Sequence, residues 1–166
     1  MSIDRLDARL IEALRADPRV GLLEVSRRLG VARGTVSSRL KKLESRGVIS
    51  GYGPEVEPAA MGYPIRAFLF VELSQGRLAE AAEAARLVPE VLEVDAVSGA
   101  QDLICRIVAR DTKHLQEIVN GLVASEAIQR CISHIVLSRQ VSPRTGPLVA
   151  SAAEHFAAPS EAAEGG

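Results

Sequence analysis

The chain has no tryptophan, two tyrosines and three phenylalanines in 166 residues, so aromatic packing cannot dominate its cores. With 47% of the residues apolar, cores can still form, but they must be aliphatic. There is no run of eighteen apolar residues, which excludes a helical membrane span, and the opening MSIDRLDARL is charged where a secretion signal would be apolar. A cytoplasmic location and no membrane partner are expected. Cysteine is scarce: Cys105 and Cys131 lack metal-ligand spacing and sit in alternating apolar stretches, so both are expected as reduced core or half-buried residues. Histidine is scarce too. No Ser/His/Asp order, carboxylate pair or metal spacing unites His114, His134 and His155, so no enzyme, metal or cofactor is expected.

What is present is a charge asymmetry. Residues 1–52 hold eleven Lys/Arg against six Asp/Glu, a net of +5, while the rest of the chain is net −6. A basic head on an acidic body fits a polyanion-binding module joined to one that does not bind polyanions, although an imbalance of solvated surface would look the same.

Along the head, Ile3, Leu6, Leu10, Ile11 and Leu14 recur at helical spacing and predict a helix over 4–15, stopped by Asp17-Pro18. A second helix is expected over 22–29, with Leu22, Val25 and Leu29 inward and Gly30 as its C-terminal cap. A third follows after a short turn, over 33–46, with Val36, Leu40 and Leu43 on one face; VISGYG then reads as a short strand and turn, a wing. Residues 53–65 are Pro- and Gly-rich and read as a linker. Beyond them the expected order is strand 66–73, helix 76–88, strand 91–98, a GAQD turn, strand 103–109, helix 112–124 and strand 128–138. This is the β-α-β-β-α-β pattern of a ferredoxin-like sandwich. The fold class is thus α+β: a winged helix-turn-helix over 1–52, a ferredoxin-like domain over 66–140, and a flexible tail over 141–166 in which Leu148 and Val149 are available to dock a partner.

Two packing helices, a tight Gly-containing turn and a projecting helix are the parts a helix-turn-helix needs. With Val36, Leu40 and Leu43 inward, Arg33, Thr35, Ser37, Ser38, Lys41 and Lys42 occupy the flanks and outer face of the third helix, and Arg39 lies near the boundary. Its small polar first turns suit base edges in a major groove and its basic later turn suits phosphates, with Arg27 and Arg28 on the preceding helix placed to clamp the backbone. Double-stranded DNA is the expected partner.

At these residues the chain resembles the Lrp/AsnC (feast/famine, leucine-responsive) regulators. The matching segments are IDRLDARLIEALRADPRVGLLEVSRRLG, TVSSRLKKLESRGVISGY, MGYPIRAFLFVEL and VSGAQDLICRIVARD, within residues 3–140. The resemblance implies a transcription regulator that dimerises through its sheet domain, with Phe68, Phe70, Val71 and alternating residues of 128–138 as contacts, and that assembles into octamers or larger rings. It also implies a small effector, an amino acid by class, near the G-x-x-D turn. Gly99 and Asp102 match that turn, with Ala100 and Gln101 between them; Ser98, Cys131 and Ser133 are the expected neighbours, and a plain hairpin turn is the alternative. Two positions depart from the family pattern. Ala32 stands where a capping Ser is usual, a loss of about 1 kcal/mol, and Cys131 stands where Thr is common, which removes a hydroxyl from the expected pocket.

Two competing readings need weighing. Siroheme decarboxylases resemble the same family in fold yet act on a tetrapyrrole; Arg66, Arg106 and His134 are the thin candidates for that chemistry, and the basic third helix argues against it. An interaction module with a head that no longer binds DNA is the other, and the same basic residues disfavour it.

Overall fold

A computed structural model describes residues 3–155. The chain divides into two compact units, one of residues 1–54 together with those from 142 onward, the other of residues 55–141.

The first unit is built on three helices, α1 (Arg5–Ala16), α2 (Leu22–Leu29) and α3 (Arg33–Ser45). Asp4 starts α1 with a reciprocal capping box: its carboxylate accepts from the Asp7 amide, and the Asp7 carboxylate accepts from the Asp4 amide. α2 stops because Gly30 adopts a left-handed conformation (φ 70°), where its amide reaches the Arg27 and Ser26 carbonyls. Leu10, Ile11, Val25, Leu29, Val36 and Leu43 form the buried core, with Leu40 and Ile49 packed at its margin.

Two expectations fail in this unit. No strand forms over VISGYG; the chain after α3 tucks Ile49 into the core and then runs without regular structure to a 3-10 turn at Pro58–Met61. Part of the expected flexible tail is a helix, α6 (Gly146–His155), which belongs to the first unit. Val149 packs against the head core, Ala153 is buried, and the Arg15 guanidinium donates to the Thr145 hydroxyl at 2.7 Å. Residues 156–166 of that tail lie outside the described residues.

The second unit follows the expected order, β1 (Ile65–Leu73), α4 (Leu78–Arg86), β2 (Val91–Ala96), β3 (Leu103–Ala109), α5 (Thr112–Val123) and β4 (Ile128–Ile135). The strands pair antiparallel in the order β2-β3-β1-β4, which is the ferredoxin-like arrangement. Ala67, Leu69 and Val71 of β1 and Leu103, Cys105 and Ile107 of β3 pack on one face beneath Ala81 and Ala85 of α4 and Leu115, Ile118 and Leu122 of α5. The small alanines let α4 lie close to the sheet. By strand alternation, Arg66, Phe68 and Phe70 point to the other face, with Arg106 and His134 directly opposite Phe68. Val71, expected among the contacts between subunits, is a core residue at 1% exposure.

α5 is anchored by a polar lock. Asp111 caps it by accepting from the His114 amide, the Arg110 amide donates to His114 Nδ1 at 3.2 Å, and His114 Nε2 faces Glu90 at 3.4 Å. His114 is therefore a buried structural residue.

Candidate nucleic-acid interface and ligand pocket

α3 has a buried seam and an open face. Val36 and Leu43 are buried and Leu40 half-buried, while Arg33, Thr35, Ser38, Lys41 and Lys42 are exposed and Ser37 is half-buried. Helical geometry puts residues three and four apart on one side, so this single seam leaves the remaining polar side chains together on the outside. The N-terminus of α3 has Ala32 as N-cap and no side-chain cap, as expected for that residue. On α2, Arg27 and Arg28 are exposed and flank Glu24, at 4.0 and 3.1 Å.

Arg39 is placed differently from the expectation. It turns toward α1, where one guanidinium nitrogen bonds both the Asp4 carboxylate and, at 2.9 Å, the Asp7 carboxylate. The hydrogen bond to Asp4, then that to Asp7, raises the Arg39 pKa further. Burial pushes the Asp4 carboxyl up, but the Asp7 amide and Arg39 outweigh it and leave Asp4 below the ordinary carboxylate value. The guanidinium is thus engaged within the head and not held out toward a duplex. On the opposite flank of α3 the Tyr52 hydroxyl donates to Glu44 at 2.8 Å; burial, followed by Glu44, pushes the Tyr52 pKa up to about 12.

In the second unit the GAQD turn joins β2 to β3. Gly99 has φ 136°, a conformation that L side chains rarely adopt, and Ser98, Gly99 and Ala100 are exposed. Asp102 knits the sheet end: its amide donates to the Val71 carbonyl, its carbonyl accepts from the Val97 amide, and its carboxylate Oδ2 accepts from the Leu73 amide at 2.8 Å. Among the described residues, no main-chain amide donates to the other carboxylate oxygen.

Asp102 also lines a shallow concavity of about 390 Å3, with Leu73, Ser74, Gln75, Gly76, Arg77, Leu78, Ala96 and Val97. Of the seven expected effector residues it is the one on this wall; Gln101 is half-buried beside it in sequence. Cys131 and Ser133 lie on β4 opposite Val71 and Leu69, hence on the helix-bearing side of the sheet. Arg77, Ser74 and Gln75, from the turn between β1 and α4, were missed from sequence. Their signal was a polar, Gly-containing turn ending a strand, and Arg77 is held there by Glu80 at 2.7 Å and Glu126 at 3.3 Å. Burial pushes the Cys105 thiol up to about 11 and raises Cys131 too, so neither supplies a thiolate near neutral pH.

These features match a known family. Residues 66–145 match the family model for the Lrp/AsnC ligand binding domain, and residues 3–50 match that for a winged helix-turn-helix DNA-binding domain. Among curated proteins, the HTH-type transcriptional regulator FL11 of Pyrococcus furiosus is 31% identical over 135 residues, 81% of this chain and 89% of its own length. This chain belongs to the Lrp/AsnC family.

Among solved structures, E. coli AsnC superposes with a TM-score of 0.82 at 26% identity, covering 89% of this chain and all of its own. The transcriptional regulator NMB0573 of Neisseria meningitidis, solved in complex with L-Met, shares the fold at a TM-score of 0.77 and 24% identity, over 89% of this chain and 99% of its own. The Lrp/AsnC chain described here is accordingly a transcriptional regulator with a helix-turn-helix DNA-binding domain and a ligand-binding domain. Arg66, Arg106 and His134, the residues a tetrapyrrole enzyme would need, share the sheet face away from α4 and α5; Arg106 pairs with Glu93 at 3.1 Å and His134 meets the Phe70 ring edge-on. None of the three lines the concavity. Among the described residues no group of His, Cys, Asp and Glu could hold a metal ion, and no helix is long and apolar enough to cross a membrane.

Proposed function

We propose that the chain reads specific duplex sequences with α3 and that a free amino acid, bound beside Asp102, sets its assembly or its affinity for DNA. The observation that carries the DNA reading is the open face of α3: Arg33, Thr35, Ser38, Lys41 and Lys42 exposed on a helix whose opposite side is seated on the head core. Thr35, Ser37 and Ser38 are short enough to approach base edges, Arg33 reaches farther, and Lys41 and Lys42 meet phosphates with Arg27 and Arg28 beside them. Two heads of a dimer would span half-sites roughly 34–36 Å apart or a multiple of that distance.

The effector reading is supported by the ligand-binding domain and by the chemistry of the concavity. The second carboxylate oxygen of Asp102 suits an α-ammonium group, while the Arg77 guanidinium on the same wall is already paired with Glu80 and Glu126. The turn Ser98-Gly99-Ala100-Gln101 would supply backbone groups, whereas Cys131 and Ser133 lie on β4 outside the concavity. The amino-acid complex of a structural neighbour favours this effector class. Self-association would use the sheet face that carries Phe68 and Phe70, and rings would form from such dimers. For a ligand to act, it must bind one assembly better than another.

The test is equilibrium binding to duplexes across salt concentrations, with and without a panel of amino acids. Lys41→Ala and Lys42→Ala are expected to weaken binding to every duplex and each to lower the salt slope by about 0.9. Arg33→Ala and Ser38→Ala are expected to change preference among sequences. Variants of both classes that bind as wild type would overturn the DNA assignment; Asp102→Asn leaving every amino-acid response intact would overturn the effector site.

A further inference from the structure

We infer that Arg39 is a positioning residue for DNA reading: it fixes the roll of α3 against the N-terminal cap of α1, and so decides which side chains face the groove. This inference rests on the DNA reading proposed above.

The cluster it makes is closed. Asp4 Oδ1 accepts from the Asp7 amide and Asp7 Oδ2 from the Asp4 amide, while Arg39 Nη1 takes the remaining oxygen of each carboxylate. All four carboxylate oxygens are thereby satisfied by two amides and one guanidinium. Asp7 is 7% exposed, so its charge needs that partner. The partner comes from another helix, 32 residues along the chain.

α3 has particular need of such an anchor. It lacks a side-chain cap, and only Val36 and Leu43 of its residues are buried. Aliphatic contacts are non-directional and leave rotation about the helix axis soft. A charge-assisted hydrogen bond is directional, and a guanidinium shared by two fixed carboxylates sets both distance and angle. At 3.6 residues per turn, Ser38 and Lys42 stand on the open side immediately next to Arg39, so a roll that frees Arg39 displaces both. The Tyr52–Glu44 bond holds the opposite flank at the far end of the helix, so loss of Arg39 would release the end that carries Thr35 and Ser38.

Simple electrostatics predicts the opposite outcome for the acidic partner. A carboxylate on a DNA-binding head repels phosphates, so neutralising Asp4 should tighten binding to any duplex if charge were its whole contribution. Asp4→Asn separates the two, because the single carbonyl oxygen of Asn caps a helix as well as Asp does, while the charge and the second acceptor that face Arg39 are lost.

The experiment takes the duplex that the full wild-type chain enriches from a random pool and a random-sequence duplex of equal length, and measures both affinities by fluorescence anisotropy across salt. Arg39→Gln and Asp4→Asn are each expected to lose tenfold or more on the enriched duplex and less than twofold on the random one, with the salt slope on the random duplex unchanged. The double variant should be no worse than Arg39→Gln alone, since both substitutions break one unit. A slope lowered by about 0.9 in Arg39→Gln would make Arg39 a phosphate contact, and Asp4→Asn binding the enriched duplex as well as or better than wild type would overturn the positioning role. Thermal melts show whether each variant is folded at the assay temperature; should Arg39→Gln not be, Asp4→Asn decides. A wild-type chain that enriches no sequence removes the DNA reading and this role together, whereas enrichment with both variants reading unchanged removes only the role of Arg39.

Discussion

The two units are held together by different means. Among the described residues, the sheet unit buries fourteen in one aliphatic core, whereas the head core has six. The head adds a capping box, a guanidinium bridging two carboxylates, a tyrosine on a glutamate, and the packing of helix α6. Apolar burial does not titrate, while such ionic contacts respond to pH and are screened by salt. A small core with directional polar ties suits a part that must present one helix at a defined angle. A large core suits a platform that must keep its shape while ligands and neighbours change.

The comparison breaks first at the cores. Leu43→Ala in the head and Leu69→Ala in the sheet remove similar, almost fully buried side chains, and each should cost about 2–5 kcal/mol. In the smaller core that loss should unfold the head while the sheet signal in circular dichroism persists. Leu69→Ala should lower the sheet transition without abolishing it. One cooperative transition moving equally in both variants would show that the units do not differ in this way.

The next effect is at α6. Val149→Asp places a charge against the head core and should destabilise the head by about 1–3 kcal/mol, read as an earlier first transition in a thermal melt, with the sheet transition unmoved. An unchanged first transition would remove α6 from the forces that hold the head.

The smallest effect is acid sensitivity. Asp4 has a folded pKa below its ordinary value, so its contribution to stability is complete above that value, near pH 4, and fades as pH falls through the depressed one. The stability difference between wild type and Asp4→Asn should therefore be constant at neutral pH and shrink only below about pH 4. A difference that shrinks already between pH 7 and 5 would point to another group.

Much of this architecture was legible in the sequence, and the failures share a cause. Helices α1 to α3 and the order of the sheet unit followed from apolar periodicity, with Gly30 marking a boundary because only the left-handed region satisfies the last carbonyls there. The open face of α3 followed from the same arithmetic. What stayed hidden depends on partners distant along the chain. Nothing near Arg39 announces Asp4 and Asp7. Asp102 meets the Ser74–Arg77 turn only through the pairing of β1 with β3. α6 is rich in Ala and Ser with weak periodicity, and it is a helix whose packing surface is supplied by α1, which the local sequence cannot reveal. The absent wing strand is a different case: VISGYG alternates suitably, but no neighbouring strand pairs with it among the described residues.

The return of residues 142–155 to the first unit has a consequence for synthesis. Domains generally fold as units while the chain is made, the N-terminal one first. Here residues 1–54 leave the ribosome early, yet the helix that covers their flank is translated only after the whole sheet domain. The head is begun before the sheet domain and completed after it, so a nascent chain carries a head that still lacks α6 until translation has passed His155.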